Sequence, residues 1–341
     1  MAKLLLGDML IELLGDGQIA DAIRKEFSCL HSGEGTPHLS FHLVSDLPHW
    51  EQGEKVHMVG DFSASARTVE FSPDAPCRMR LQINEDGHWN VWCKALPSSE
   101  QKAMSQRPII WQRWRSRNFL STNEAIGVNI VFGPLVALLH LRLLNMNGAL
   151  LHGAAIAKDG QGVLLSGWGG SGKTSLLGSI AVQEKTNWEF LGDDLALLDS
   201  QGNLSVVPLA IHLKSYNLTV AEKLYAKVKK GNPFLEHWHW LYRLKTSTLK
   251  PMRRPRLEEL FQLPASNRPI SLAVHFDRYS GEEFIVSELS AKEFSGVVTA
   301  GTLNEYRCIL GSLLKASGLP IEVAEKSFST VTDLWLNTEN I

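Results

Sequence analysis

The sequence predicts an α/β protein in which a smaller α+β domain precedes a C-terminal domain with a mixed sheet. Short strand-like runs separated by turn residues fill the first third of the chain. Near the middle, two apolar runs joined by a tight turn follow a long apolar helix, and a glycine-rich loop then leads into another helix. The 341 residues fit two domains, predicted at 1–115 and 116–341.

Hydrophobic periodicity in the first domain predicts one helix among several strands. The helix is expected over 18–29, and the strands over 9–14, 38–44, 67–71, 78–83 and 88–92. Turn sequences between the later runs, such as Glu85-Asp86-Gly87, favour a mostly antiparallel arrangement. The polar stretch 96–108 is predicted to be a linker.

The second domain is predicted to alternate between strands and helices in an order that favours a mixed sheet. Helices are expected over 123–146, 172–182 and 302–316, and strands over 149–157, 162–166, 271–276 and 284–287. A further strand is expected to end in Gly192-Asp193-Asp194, and 195–198 is expected to continue it. The first of these helices is apolar, but Asn129, Pro134, His140 and Arg142 interrupt it, as is typical of a core helix rather than a membrane span. We therefore predict a cytoplasmic protein without a membrane partner.

Charge and cysteine content argue against a nucleic-acid-binding protein and against a protein held together by zinc or disulfides. The formal net charge of −2 gives no support for a nucleic-acid partner. The four cysteines form no CxxC pair, which argues against a zinc site and favours free thiols in a reducing compartment.

The glycine-rich loop matches the phosphate-loop pattern G-x4-G-K-[ST] at every specified position. Glycines let successive backbone N–H groups turn toward phosphate oxygens, and the start of the following helix adds partial positive charge. The residues predicted to bind nucleotide here are Gly167, Gly169, Gly170, Ser171, Gly172, Lys173, Thr174 and Ser175. The glycines also satisfy the dinucleotide pattern G-x-G-x-x-G, but a lysine followed by a hydroxyl residue favours ATP or GTP with Mg²⁺, in which the Thr174 hydroxyl is a metal ligand.

Two adjacent acids follow one helix later. Asp193 and Asp194 end an apolar run about 20 residues after Lys173. Phosphoryl transfer needs a second anchor for the metal ion and a group that orients or deprotonates the nucleophile. Adjacent carboxylates titrate at different pH values, so one can act as a base while the other stays charged on the metal.

These motifs together resemble the HPr kinase/phosphorylase family, and more closely the HPr-kinase-related proteins that share its phosphoenolpyruvate-carboxykinase-like fold. The resemblance covers about 120–290 and rests on the run Leu151-His152-Gly153, the phosphate loop, and Leu191-Gly192-Asp193-Asp194. It implies that Asp193 and Asp194 share the tasks of binding Mg²⁺ with Thr174 and of accepting the proton of the substrate hydroxyl. Either acid could take either task, and we favour Asp193 as the metal ligand and Asp194 as the base.

The resemblance also implies roles for three residues outside the loop and the acid pair. His152 would lie beside the two acids on a neighbouring strand. Lys214, after the segment Val207-Pro208-Leu209, and Arg278, after the strand 274–276, would be cations that contact the phosphates or an acidic substrate.

We therefore predict a kinase that transfers the γ-phosphate of ATP to a hydroxyl acceptor on a protein, a peptide or a small molecule. The N-terminal domain would select the substrate or mediate assembly, and the family implies a possible homo-oligomer. The alternatives are an ATPase or GTPase switch with water as the acceptor, a nucleotide sensor without catalysis, and a carboxykinase-like decarboxylase.

Overall fold

The computed structural model describes residues 2–50, 55–59, 62–73, 75–181, 187–214, 234–246, 252–277 and 285–316. The content is mixed α/β with two mixed sheets, as the coarse fold class predicted. The described chain divides into two compact units. The first runs from Met1 to Arg142 and is joined by the end of the last helix from Tyr306, and the second is Leu143–Glu305. The division at 142/143 lies inside a helix, later than the predicted boundary at 115/116.

The first unit contains an eight-stranded sheet. Its strands are β1 (Ala2–Leu6), β2 (Met9–Leu14), β3 (Leu39–Val44), β4 (His57–Val59), β5 (Phe62–Ala64), β6 (Thr68–Phe71), β7 (Cys77–Ile83) and β8 (Trp89–Ala95). The order is β1-β2-β3-β8-β7-β6-β5-β4, with β3 parallel to both of its neighbours and the other pairs antiparallel. The predicted strands and the mostly antiparallel arrangement are confirmed.

Helices accompany this sheet. They are α1 (Gln18–Glu26), α2 (Ser99–Ser105), α3 (Ile109–Arg115), α4 (Thr122–Ile130) and α5 (Val136–Leu144), with a π-helical turn, Val131–Leu135, between the last two. Helix α2 lies in the stretch predicted to be a linker, so that prediction is wrong. A capping box between Ser98 and Gln101 satisfies N–H groups at the start of this helix. The polar composition of the stretch reflects a surface helix.

The apolar helix near the middle of the chain is interrupted where its sequence contains Gly133 and Pro134. Because proline cannot donate a backbone hydrogen bond, the helix changes to a π-helical turn there. The span Thr122–Leu144 is long and apolar enough to cross a membrane by length and composition, but most of it is buried inside the fold. Gly127 lies against α1, where a Cβ would be 2.8 Å from that of Ala22, so a glycine lets these helices approach closely.

The second unit is built around a six-stranded sheet. The strands of this unit are β9 (Ala149–Lys158), β10 (Gln161–Gly167), β11 (Trp188–Gly192), β12 (Leu195–Leu198), β13 (Asn203–Ser205), β14 (Leu213–Lys214), β15 (Met252–Arg253) and β16 (Arg268–Phe276). Pairings among β9, β10, β16, β13 and β12 form a closed circuit in which only β10 and β16 are parallel. Strands β14 and β15 pair separately.

The helices of this unit cover the sheet. They are α6 (Lys173–Ala181), α7 (Phe234–Thr246), α8 (Leu257–Leu260) and α9 (Ala291–Ala316). One buried cluster joins Leu177 of α6 and Trp240 of α7 to β9 and β10, and another joins Phe294 of α9 to β9 and β12. The sheet is therefore held from more than one side, which fixes the ends of its strands.

Two sequence predictions for this unit need correction or restriction. Residues 285–287 do not form a strand, and Phe284 lies outside the described residues. Helix α9 begins at Ala291, earlier than predicted, because Ser290 and Glu293 form reciprocal hydrogen bonds at its start.

Candidate functional site

The predicted phosphate loop connects the end of β10 to the start of α6. Gly167, Gly170 and Gly172 have φ angles of 147°, 79° and 106°, which side-chain-bearing residues rarely adopt. The Ser171 N–H donates to the Trp168 carbonyl at 3.0 Å, and the Leu176 N–H donates to the Gly172 carbonyl at 2.9 Å, so the loop turns once and enters the helix directly. This backbone has the curled form that anion-binding loops need.

The side chain of Lys173 is folded back onto the loop. Lys173 is 5% exposed, and its ammonium group donates hydrogen bonds to the carbonyl oxygens of Gly167 and Trp168, the latter at 3.3 Å. The buried Ser171 hydroxyl has no hydrogen-bond partner among the described residues. A buried cation and an unsatisfied hydroxyl in one curled loop fit an anionic ligand.

The hydroxyl of Thr174 lies against the first of the two acids. Thr174 Oγ1 is 3.1 Å from each carboxylate oxygen of Asp193, although 19 positions separate the two residues. Asp193 is only 7% exposed. The segment between β11 and β12 therefore meets the predicted phosphate loop at the position where a pair of Mg²⁺ ligands is expected.

The two acids occupy a break in the strand that follows α6. Strands β11 and β12 lie in succession along β9, with Gly192 opposite Ala155 and Leu195 opposite His152. The prediction that 195–198 continues the preceding strand is confirmed, with the acids forming the interruption between β11 and β12. Irregularities of this kind re-aim side chains at the edges of sheets.

The break separates the environments of the two carboxylates. Asp194 has a φ angle of 63° and an exposed side chain, and its carbonyl accepts a hydrogen bond from the Gly153 N–H at 3.1 Å. Asp193 is buried beside Thr174 instead. One acid is thus positioned at the loop and the other faces outward, as different roles for the two would require.

Electrostatics favour a cation at Asp193. Burial, and then the neighbouring Asp194 carboxylate, raise the pKa of Asp193 well above its usual range, against the opposing influence of the Thr174 hydroxyl and of Lys173. A divalent cation would offset both effects. No group of three or more His, Cys, Asp and Glu side chains is arranged to hold a metal among the described residues. Mg²⁺ would therefore need phosphate oxygens and water besides Thr174 and Asp193, as is usual for this ion.

His152 lies on the strand next to the acids. Its backbone pairs with Leu195 of β12, and its N–H donates to the Thr302 hydroxyl of α9 at 2.9 Å. The Thr302 hydroxyl in turn donates to the Val298 carbonyl at 2.8 Å. The structure thus places His152 on the neighbouring strand, as predicted, and its role in the chemistry stays a prediction.

The remaining predicted residues divide into two groups. Gly169, Gly170 and Ser175 belong to the loop and to the first turn of α6. Lys214 is exposed at the end of β14, in the separate two-stranded sheet with β15. Arg278 lies outside the described residues.

Sequence analysis did not single out His275 and Phe276, the last two residues of β16, or Asp277, which follows the strand. Because β16 runs parallel to β10, both strands end at the phosphate loop, with Ser166 opposite His275 and Gly167 opposite Phe276. The His275 Nδ1 atom lies 3.2 Å from the Ser166 Oγ atom. Burial lowers the pKa of His275, and the nearby Lys173 ammonium group lowers it further against the opposing charge of Asp277. The polar residues His275 and Asp277 at the end of the predicted strand were the available signal. The strand with which β16 pairs, however, lies more than 100 positions away in the chain.

Comparisons with known proteins add no assignment. No protein-family model matches the chain, and no curated protein matches it significantly.

Proposed function

We propose that this protein is an ATP- and Mg²⁺-dependent phosphotransferase of the HPr-kinase-like type, with a hydroxyl group as its acceptor. The observation that carries the proposal is the contact between Thr174 of the phosphate loop and the buried Asp193, with exposed Asp194 directly after it. A loop hydroxyl joined to an acid supplies the protein's part of a Mg²⁺ site. A kinase also needs a carboxylate that can reach the acceptor hydroxyl, whereas a loop that only binds nucleotide does not.

The proposed roles follow from these environments. Bound MgATP would supply the phosphoryl group that is transferred. Lys173 would donate to phosphate oxygens while keeping its Gly167 carbonyl partner, since an ammonium group has three donors, and Thr174 and Asp193 would hold the cation. Asp194 would accept the proton of the acceptor hydroxyl as that oxygen bonds to phosphorus and the bond to ADP breaks. His152, Lys214 and Arg278 remain candidates for contacts to substrate or phosphate.

The resemblance to HPr-kinase-related proteins supports the same reading. In that family the order is a leucine-histidine-glycine strand, a phosphate loop, one helix, and a strand ending in two acids. Here β9, the loop, α6 and β11 occur in that order. The first unit would then select the acceptor or mediate assembly.

Phosphate transfer from γ-labelled ATP tests the proposal. The protein is incubated with Mg²⁺ and a cell lysate as the source of acceptors, and label on acceptors and free phosphate are both measured. Lys173→Ala and Asp194→Asn should each reduce transfer by about 100-fold or more, the usual contribution of a general base or charge clamp.

Asp159→Asn is the matched control. Asp159 is also exposed with a positive φ, 52°, but it lies in the turn before β10, at the opposite end of that strand from the loop. The same change there should leave transfer unaltered. Transfer that persists in both site variants would show that the site is wrong. Rapid phosphate release without labelled acceptors would favour the hydrolytic switch, and nucleotide binding without transfer or release would favour the sensor.

A further inference from the structure

The end of β16 lies directly beside the start of the phosphate loop. In the sheet, β10 pairs with β16 along one edge and with β9 along the other. Strand β9 also pairs with β11, which ends directly before Asp193. The loop therefore lies between the acid pair and the end of β16. The proposed function uses only the side with the acids, which leaves the residues of β16 without an assigned role.

His275 contacts the residue that precedes the loop. Ser166 is 2% exposed, and its Oγ atom lies 3.2 Å from Nδ1 of the half-buried His275. The two residues are also directly paired in the ladder between β10 and β16. Two polar side chains on adjacent strands thus connect β16 to the last residue before Gly167.

The backbone of β16 also lies very close to the backbone at the start of the loop. A Cβ built on Gly167 would lie 2.6 Å from the Phe276 carbonyl oxygen, which means that β16 leaves no free space beside that glycine. The Gly167 carbonyl in turn accepts a hydrogen bond from the Lys173 ammonium group. A continuous series of contacts therefore runs from His275 through Ser166 and Gly167 to Lys173.

We propose that His275 is a positioning residue for nucleotide binding: through Ser166 it holds Gly167, and with it Lys173, where the loop receives phosphate. This inference rests on the proposed nucleotide site. It adds that nucleotide binding needs a contact from β16, which lies on the side of the loop away from the acids. Loss of one such hydrogen bond should weaken nucleotide binding about 3- to 10-fold, since the start of the loop at Gly167 would then be fully ordered only on binding.

Titration with a fluorescent ATP analogue and Mg²⁺ tests the inference. His275→Ala and Ser166→Ala should each weaken binding about 3- to 10-fold, and the double variant should bind no more weakly than either single variant, because both remove the same contact. His275→Asn should bind within about 2-fold of wild type, since its amide reaches the position of Nδ1. Recovery by asparagine would not be expected if the ring mattered only for packing.

Ser271→Ala is the control for a hydrogen bond between the same two strands. The Ser271 hydroxyl donates to the Gly162 carbonyl at 3.2 Å, at the end of β10 remote from the loop, so its loss should leave affinity unchanged. Thermal unfolding of each variant checks that it is folded.

The possible failures are distinguishable. If the wild type does not bind the analogue, the proposed function and this inference both fall. If the wild type binds, and Lys173→Ala removes binding, but His275→Ala and Ser166→Ala bind as tightly as wild type, this inference alone falls. Losses that multiply in the double variant would equally overturn the proposed connection.

Discussion

Alanine in place of each of three loop glycines should have graded effects on stability. Gly167 combines a φ of 147° with a Cβ position 2.6 Å from the Phe276 carbonyl oxygen and 2.7 Å from the Ser171 hydroxyl. Gly172 has a φ of 106° but open space around it, and Gly169 has open space without a φ in the unfavourable region. Glycine is therefore needed at Gly167 for two reasons, at Gly172 for one, and at Gly169 for neither.

The magnitudes follow from these differences. A side chain at Gly172 carries only backbone strain, about 1–2 kcal/mol. At Gly167 the same strain is joined by a clash with the backbone of a paired strand, which raises the loss in unfolding free energy to about 2–4 kcal/mol. At Gly169, alanine should change the unfolding free energy by less than about 1 kcal/mol, and can stabilise the fold by restricting the unfolded chain.

Urea unfolding without nucleotide measures this series directly. Nucleotide is omitted so that contacts between the ligand and the new methyl group do not enter the comparison. The expected order of destabilisation is Gly167→Ala, then Gly172→Ala, then Gly169→Ala. An equal or larger loss for Gly169→Ala than for Gly167→Ala would refute the reasoning, because it would mean that the loop has a different backbone conformation.

Two further predictions concern charged and titratable groups of the two units. Glu189 and Arg268 form two hydrogen bonds, of 2.6 and 2.8 Å, with side chains 15% and 16% exposed, so Glu189→Gln should lower the unfolding free energy by about 1–3 kcal/mol. Glu258→Gln, which alters the more exposed pair with Arg256, should change it by less than about 1 kcal/mol, and equal losses in urea unfolding would contradict this. Complete burial lowers the pKa of His140 to about 3 from an unfolded value near 6.5, so the unfolded state alone binds this proton between those values. The contribution of His140 to the unfolding free energy should therefore be constant above pH 6.5 and fall below it by about 1.4 kcal/mol per pH unit, or about 2 kcal/mol at pH 5. His140→Leu should remove this part of the slope in unfolding curves at pH 5, 6 and 7, and an unchanged slope would show that His140 is protonated in the fold.

The local parts of the site could be predicted because their signals lie close together in the chain. The phosphate loop needs glycine, lysine and threonine at fixed spacing, and the strand before it and the helix after it are set by short apolar runs. The structure places β10, the loop and α6 where these signals predicted them. The polar stretch 96–108 was misread because a capped surface helix and a linker have similar composition.

The different environments of Asp193 and Asp194 could not be derived from their sequence. Two adjacent acids after an apolar run are equally compatible with a solvated turn. Their separation depends on β9, which pairs with both β11 and β12 and leaves the acids in the gap between them. Only this pairing buries one carboxylate against Thr174 and leaves the other exposed.

The sequence by itself determined the phosphate loop, its flanking strand and helix, and the acid pair as candidates, because the interactions that form these elements act over a few residues. Tertiary structure alone decided that His275 contacts Ser166, since these residues are 109 positions apart and meet only when β16 pairs in parallel with β10. Parallel pairing depends on burial and hydrogen bonding across the whole sheet, and no local pattern in the chain encodes which strands become neighbours.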